Sequence, residues 1–240
     1  MVGEGKLDGK ELLRSRLEQV WEEIEEARLR RSPHLVVELV VVTKYLEGVE
    51  PLKWLMELGQ RAFGENRVQQ LEGKIQQLEG WPVEWHFIGN LQRNKINKLL
   101  RLNPFLIQSI GSFKLAEAID KRAHRPVAGL LEINSSGEPT KGGCAPEEAV
   151  ELYLKIREEC PNLQLKGVMT IGAHTDDEKE IRRSFQITYK IFEKLQKYGA
   201  KICSMGMSND FRLAIEEGSN MVRIGSRLFR DLPLLGKSKG

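Results

Sequence analysis

The sequence predicts an α/β protein: a single (β/α)8 TIM-type barrel with an extra helix in front of it. Three observations carry that prediction. Short apolar runs alternate with segments of helical periodicity, eight times over. The last two runs, Ser204-Met205-Gly206-Met207-Ser208 and Met221-Val222-Arg223-Ile224-Gly225-Ser226, end in small residues. Barrels of this type place free backbone N–H groups there. The 240 residues suit one such barrel. An open doubly wound sheet is the alternative, disfavoured because no G-x-G-x-x-G follows the first strand. One domain is expected over 1–240, with the barrel at about 35–230 and no low-complexity linker.

Each element has a local cause. Leu13, Leu17, Val20, Trp21 and Ile24 keep helical spacing among glutamates and arginines, which predicts an amphipathic helix over about 10–31. Strand 1 is Glu38–Val42, and a helix follows over about 51–58. Strand 2 is Arg61–Phe63, ended by Gly64, with a Gln-rich helix over about 67–78. Strand 3 is Glu84–Ile88, with a basic helix over 91–100. Strand 4 is Phe105–Ile110, and Gly111-Ser112 leads into a helix to about Arg122. Strand 5 is Val127–Ile133, followed by a Gly/Ser/Pro loop from Asn134 to Gly143. Pro146 suits the first turn of the next helix, and Cys160-Pro161 stops it. Strand 6 is Leu165–Ile171. A long helix over about 177–198 ends at Gly199. Strand 7 is Lys201–Met205. An amphipathic helix stopping at Gly218 separates it from strand 8, Asn220–Ile224. The tail from Leu234 to Gly240 is expected to fray.

Composition excludes several function classes. With 40% hydrophobic and 30% charged residues the chain can bury a sizeable core. A net charge of +3 does not demand nucleic acid. Arg93, Lys95, Lys98 and Arg101 sit at helical spacing, as a solvated face does. Cys144, Cys160 and Cys203 are odd in number and widely spaced, with no C-x-x-C and no His/Cys cluster. That argues for a reducing compartment and against structural zinc, so no metal is expected. The first ten residues lack an apolar signal core, and the longest apolar run, Leu35–Val42, is too short for a membrane span. A cytoplasmic protein without nucleic-acid or membrane partners is expected. Without a large apolar patch evident, a monomer is expected too. Gly236-Lys237-Ser238 imitates the end of a P-loop, but the required upstream glycine would fall at Asp231.

The candidate site lies where the strands end. Lys44 follows strand 1, and a neutral amine there can attack an aldehyde; an ordinary rim lysine reaching water is the alternative. Gly225-Ser226 precedes a short helical turn whose N–H groups suit a dianion. Ser208 has the same position after strand 7, or is simply a helix N-cap. Lysine and phosphate cup on one rim suggest pyridoxal phosphate. Arg223, inside strand 8, can oppose protonation of a pyridine nitrogen, or form a buried salt bridge with Glu65 or another rim acid. Asn66 either bonds a cofactor edge or caps the next helix. His86 reads first as a core histidine. Lys141, in the 134–143 loop, can reach a second anion.

Five segments in order carry a resemblance. They are Val41-Val42-Thr43-Lys44, Phe63-Gly64-Glu65-Asn66, Trp85 through Lys95, Ser204 through Ser208, and Val222 through Ser226. Together they resemble the pyridoxal phosphate homeostasis proteins of the YggS/PROSC type, over about Leu13 to Phe229. The resemblance implies a barrel like the N-terminal domain of alanine racemase, with pyridoxal 5'-phosphate held as an aldimine on Lys44. It implies Ser208, Gly225 and Ser226 on the phosphate, Arg223 at the pyridine nitrogen, and Asn66 and Met205 lining the pocket. It also implies a cofactor carrier or regulator acting on amino-acid and keto-acid balance, with apo forms of pyridoxal phosphate enzymes as recipients. Two segments depart from the family pattern: Tyr45-Leu46-Glu47-Gly48 and the loop around Lys141.

Three functions follow. The first is cofactor holding without efficient turnover, because a racemase needs a second base that an appended β-domain normally supplies. The second is a racemase-like enzyme using His86, His174 or a partner subunit as that base. The third is a Schiff-base aldolase, which purifies colourless where a pyridoxal adduct is yellow.

Overall fold

The computed structural model describes residues 8–232. The tail from Leu234 to Gly240 lies outside the described residues. Eight parallel strands close into a barrel in sequence order. They are β1 (Glu38–Val42), β2 (Ala62–Glu65), β3 (Glu84–Phe87), β4 (Leu106–Ile110), β5 (Val127–Glu132), β6 (Leu163–Met169), β7 (Ile202–Met207) and β8 (Met221–Ile224). The seam joins β1 to β8, with Glu38 opposite Met221 and Val41 opposite Ile224.

The helices are α1 (Gly9–Arg31), α2 (Glu50–Glu57), α3 (Val68–Gln77), α4 (Ile96–Leu102), α5 (Phe113–Asp120), α6 (Ala149–Glu159), α7 (Glu178–Gln196), α8 (Phe211–Glu216) and α9 (Ser226–Phe229). Asp8 caps α1 by accepting from the Glu11 amide at 2.9 Å, which satisfies an otherwise orphaned donor. Leu13, Leu17, Val20, Ile24 and Ala27 are buried along one side of α1. The helix packs against α2, α8 and α9, and so covers the seam. Arg16 Nη1 fastens it there, donating to the carbonyls of Leu228 (2.8 Å) and Arg230 (2.6 Å).

Period-two alternation sorts each strand's side chains. One set, including Leu39, Val41, Phe63, Phe87, Val168 and Met205, joins the large cluster against the helices. The other set, Val40, Ala62, Leu106, Leu130, Met169 and Met221, fills the lumen. The lumen is a packed core rather than a pore.

Several boundaries differ from the sequence expectation. Gly64 does not end β2; it lies within the strand, where a Cβ would meet Val40 Cγ1 at 3.2 Å. The basic helix opens with a 3₁₀ turn at Arg93–Lys95 before α4. The helix expected from Pro146 starts at Ala149. β6 begins two residues earlier and ends two earlier than expected. β7 runs on to Met207 through an irregularity between Ser204 and Met207. Gly206 makes that irregularity possible. Its φ is +94°, and a Cβ there would lie 2.6 Å from Ala214 Cβ and 2.8 Å from Phe211 Cα.

Candidate functional site

The C-terminal rim opens into a cleft of about 710 Å³, lined among others by Lys44, Tyr45, His174, Ser208, Arg223, Gly225 and Ser226. That volume suits a small cofactor. The cleft therefore gathers five of the seven sequence-predicted residues.

Lys44 follows β1 and is exposed, its Nζ 5.0 Å from the Tyr45 ring centroid. Apolar walls do not enclose it. The backbone beneath it is held from below. Lys74 Nζ, on α3, donates to the Thr43 carbonyl at 2.8 Å and to Glu65 Oε2 at 2.5 Å. Thr43 Oγ1 donates to the same carboxylate at 3.0 Å, and Glu65 Oε1 accepts from the Asn66 amide at 2.8 Å. Lys74 is 3% exposed and Glu65 0%. Such a buried pair is tolerable because every member is hydrogen-bonded. The sequence reading missed Lys74, whose helical position looks like any solvated lysine.

Asn66 does not line the cleft, and it does not cap α3: Arg67 occupies that position without a side-chain bond. Its Oδ1 is buried with no hydrogen-bond partner. Gly89 lies against it so closely that a Cβ would come within 2.0 Å of the Asn66 carbonyl oxygen. Met205 is also placed away from the cleft. It is fully buried in the helix-facing layer, because alternation along β7 turns it outward, and Met207 lines the cleft instead.

A pair of convergent amides lies between the ends of β7 and β8. The amides of Gly225 and Arg227 both point at one oxygen, Ser208 Oγ, at 3.3 and 3.4 Å. Ser208 is thus no helix cap; Asp210 holds the position before α8, and its Oδ1 accepts from the Met207 amide at 2.6 Å. Gly225 packs against β1, where a Cβ would lie 2.7 Å from the Val42 carbonyl oxygen.

Arg223 points into the lumen and is 4% exposed. Nη1 donates to Ser204 Oγ at 2.6 Å and Nη2 to the Thr170 carbonyl at 2.8 Å. The salt bridge with Glu65 is absent, because Glu65 is taken by Lys74. Burial lowers the Arg223 pKa to about 10, partly opposed by Asp210 and Glu132, so the side chain stays cationic at neutral pH. Burial also raises the Asp210 carboxyl above its ordinary range.

From Arg223 a chain of hydrogen bonds runs down the lumen. Ser204 Oγ donates to Gln108 Oε1 at 2.7 Å, and Gln108 Nε2 meets His86 Nδ1 at 3.0 Å. His86 is fully buried and does not line the cleft. Burial pushes its pKa down to about 4. Its burial away from the cleft removes His86 as a second base, whereas His174 is exposed at the cleft. Lys141 is committed to the Gly172 carbonyl at 2.5 Å and Glu138 at 2.7 Å.

A family model of the alanine racemase N-terminal domain matches residues 16–233. A pyridoxal phosphate homeostasis protein of Helicobacter pylori is 48% identical over 221 residues, which is 91% of this chain and 98% of the relative. The chain belongs to the pyridoxal phosphate homeostasis protein family. Two solved structures place this homeostasis-family barrel among its relatives. An unknown protein from Bifidobacterium adolescentis superposes with a TM-score of 0.82 at 30% identity, covering 95% of this chain and 98% of that one. PipY of Synechococcus elongatus, solved with pyridoxal phosphate bound, gives 0.73 at 28% identity, covering 87% and 98%.

Proposed function

We propose that this protein binds pyridoxal 5'-phosphate in the rim cleft and acts in cofactor homeostasis, as a holder and regulator rather than an efficient catalyst. The observation that carries the reading is the convergence of the Gly225 and Arg227 amides on one oxygen position, in the cleft that also holds Lys44 and Arg223. The residues fit the group. Two convergent N–H donors and the hydroxyls of Ser208 and Ser226 suit a phosphate.

When bound, pyridoxal phosphate supplies an aldehyde that condenses reversibly with amines, and an electron-withdrawing ring. Lys44 supplies the amine, with its backbone fixed by the Lys74–Glu65–Thr43 network. Arg223 remains charged and is held by Ser204 and Thr170, so a ring nitrogen facing it stays unprotonated. That weakens the ring as an electron sink and favours holding over turnover. Two other ionisable groups lining the cleft are engaged: Asp210 with the Met207 amide, Lys141 with Gly172 and Glu138. Apo enzymes that use the cofactor are the recipients this reading calls for. A monomer agrees with exposed large apolar side chains that are scattered, such as Leu29, Trp81 and Phe105.

The test is the visible spectrum of the purified protein, then borohydride reduction and peptide mapping. A yellow protein whose reduced adduct maps to Lys44 is expected. Lys44→Ala should lose that adduct while retaining noncovalent binding through the cup; an adduct that persists elsewhere removes Lys44 from its role. A colourless protein that takes up no added cofactor overturns the proposal and favours an aldolase-like use of Lys44. The exposed His174 favours one second reading, a racemase-like enzyme. Steady release of an amino acid's opposite enantiomer, lost in both Lys44→Ala and His174→Ala, would establish it.

A further inference from the structure

The mouth of the barrel opposite the cleft brings together three side chains that are far apart in sequence or function. Glu38 opens β1, and Glu84 and His86 lie on β3. One ligand atom from each lies within 4.8 Å of the others. His86 Nε2 is 4.0 Å from Glu38 Oε1. His86 is fully buried, and Nε2 has no hydrogen-bond partner. Its other nitrogen is held by Gln108, and Phe105 covers the ring at 5.5 Å between centroids. Among the described residues, neither carboxylate has a lysine or arginine partner. Burial, then repulsion from Glu84, raises the Glu38 carboxyl pKa. Two acids crowd together here, and a buried nitrogen faces them unsatisfied. Native structures rarely leave such groups unpaired without a reason.

We propose that Glu38, Glu84 and His86 form a binding site for a divalent first-row transition ion of the zinc type. One imidazole nitrogen and two carboxylate oxygens are a donor set that zinc accepts, with water completing the shell. Magnesium and calcium prefer oxygen donors alone. Donors about 2.0–2.1 Å from zinc in a tetrahedron lie roughly 3.4 Å apart, so the carboxylates need to close by about 1 Å. Glu38 is free to do so: its side chain is 42% exposed. His86 is neutral at physiological pH, as a ligand must be.

The protons balance as follows. With Nδ1 accepting from Gln108, the neutral ring carries its proton on Nε2. When the ion takes Nε2, the ring proton moves to Nδ1. The Gln108 amide turns so that Oε1 accepts it, an exchange of nearly isosteric groups. Gln108 Nε2 then donates to Ser204 Oγ, whose own proton gives up its bond to Gln108 Oε1 and rotates away, one hydrogen bond lost against the bond that Nε2 forms to the ion. The ion thereby gains a fixed imidazole with a hydrogen-bonded partner behind it.

The test uses the full chain, free of any affinity tag and treated with a chelator, titrated calorimetrically with Zn²⁺ and followed by visible absorption with Co²⁺. One equivalent per chain is expected. Glu38→Gln and Glu84→Gln should each weaken binding by about tenfold or more, with loss of the cobalt bands. These two variants carry the test even if His86→Leu does not fold. No uptake by the wild type overturns the proposal. So does unchanged affinity in both glutamine variants, which would move the ion to His34, His124 or His174. The readout does not involve pyridoxal phosphate, so its failure leaves the cofactor reading intact.

Discussion

Two acidic sites sit at opposite levels of the same barrel and are treated oppositely. Glu65, near the C-terminal rim, is completely buried, yet each of its oxygens is used: one by Asn66, the other by Lys74 and Thr43. Glu38, at the other mouth, is partly exposed and faces another acid and an unpaired imidazole. The first arrangement fixes backbone on both sides of the cleft floor, at Thr43-Lys44 and at Asn66. The second fixes nothing by itself and is poised to accept something. Burial alone does not tell a structural acid from a binding acid; the state of its partners does.

The sharpest way to break this contrast is to remove one partner from each cluster. Lys74→Met leaves the Glu65 charge buried and should cost about 3–5 kcal/mol of stability. Glu84→Gln removes a like-charge neighbour and should change stability by less than about 1 kcal/mol. Urea denaturation of the two variants measures both, and similar losses would dissolve the distinction. Next in size is Ser226→Asp, which places a negative charge beside the cup. Cofactor affinity should fall about tenfold or more through repulsion of the phosphate, read by equilibrium dialysis; equal affinity would move the phosphate site.

The smallest effect concerns Asp210, whose carboxyl is held above its ordinary 3.8 by burial. Because the folded state keeps that proton longer, the unfolded state ionises first as pH rises past 3.8, and stability is lost until the raised folded value is passed. Below 3.8 both states are protonated and the penalty vanishes. Asp210→Asn should therefore gain on the wild type as pH is raised from 3.5 to 7. A difference that stays constant with pH would show that the carboxyl titrates normally.

The barrel was legible because each strand carries its own signal: a short apolar run, then a glycine or polar residue at the turn. That Ser208 and Gly225-Ser226 share one cleft was legible for a related reason, since they stand at fixed places after strands 7 and 8. Side-chain direction was harder. Met205 and Met207, two residues apart, would share a face in a regular strand; the irregularity at Gly206, φ +94°, puts Met205 in the outer layer and Met207 at the cleft. Least legible were contacts made by closure. Lys74 reaches under Thr43 through the packing of α3 on the β1–β2 pair, and Gln108 on β4 meets Ser204 on β7 only because the closed barrel brings them together across the lumen. No spacing rule encodes those pairs.

The seam between β1 and β8 has a consequence for how the protein is made. The cleft joins Lys44, which follows β1, to Ser226, which follows β8. A nascent chain on the ribosome can fold early βα units but has no complete cleft until β8 has emerged and docked on β1. Closure of the rim is thus all-or-none: only a molecule in which β8 has docked on β1 presents both walls of the cleft.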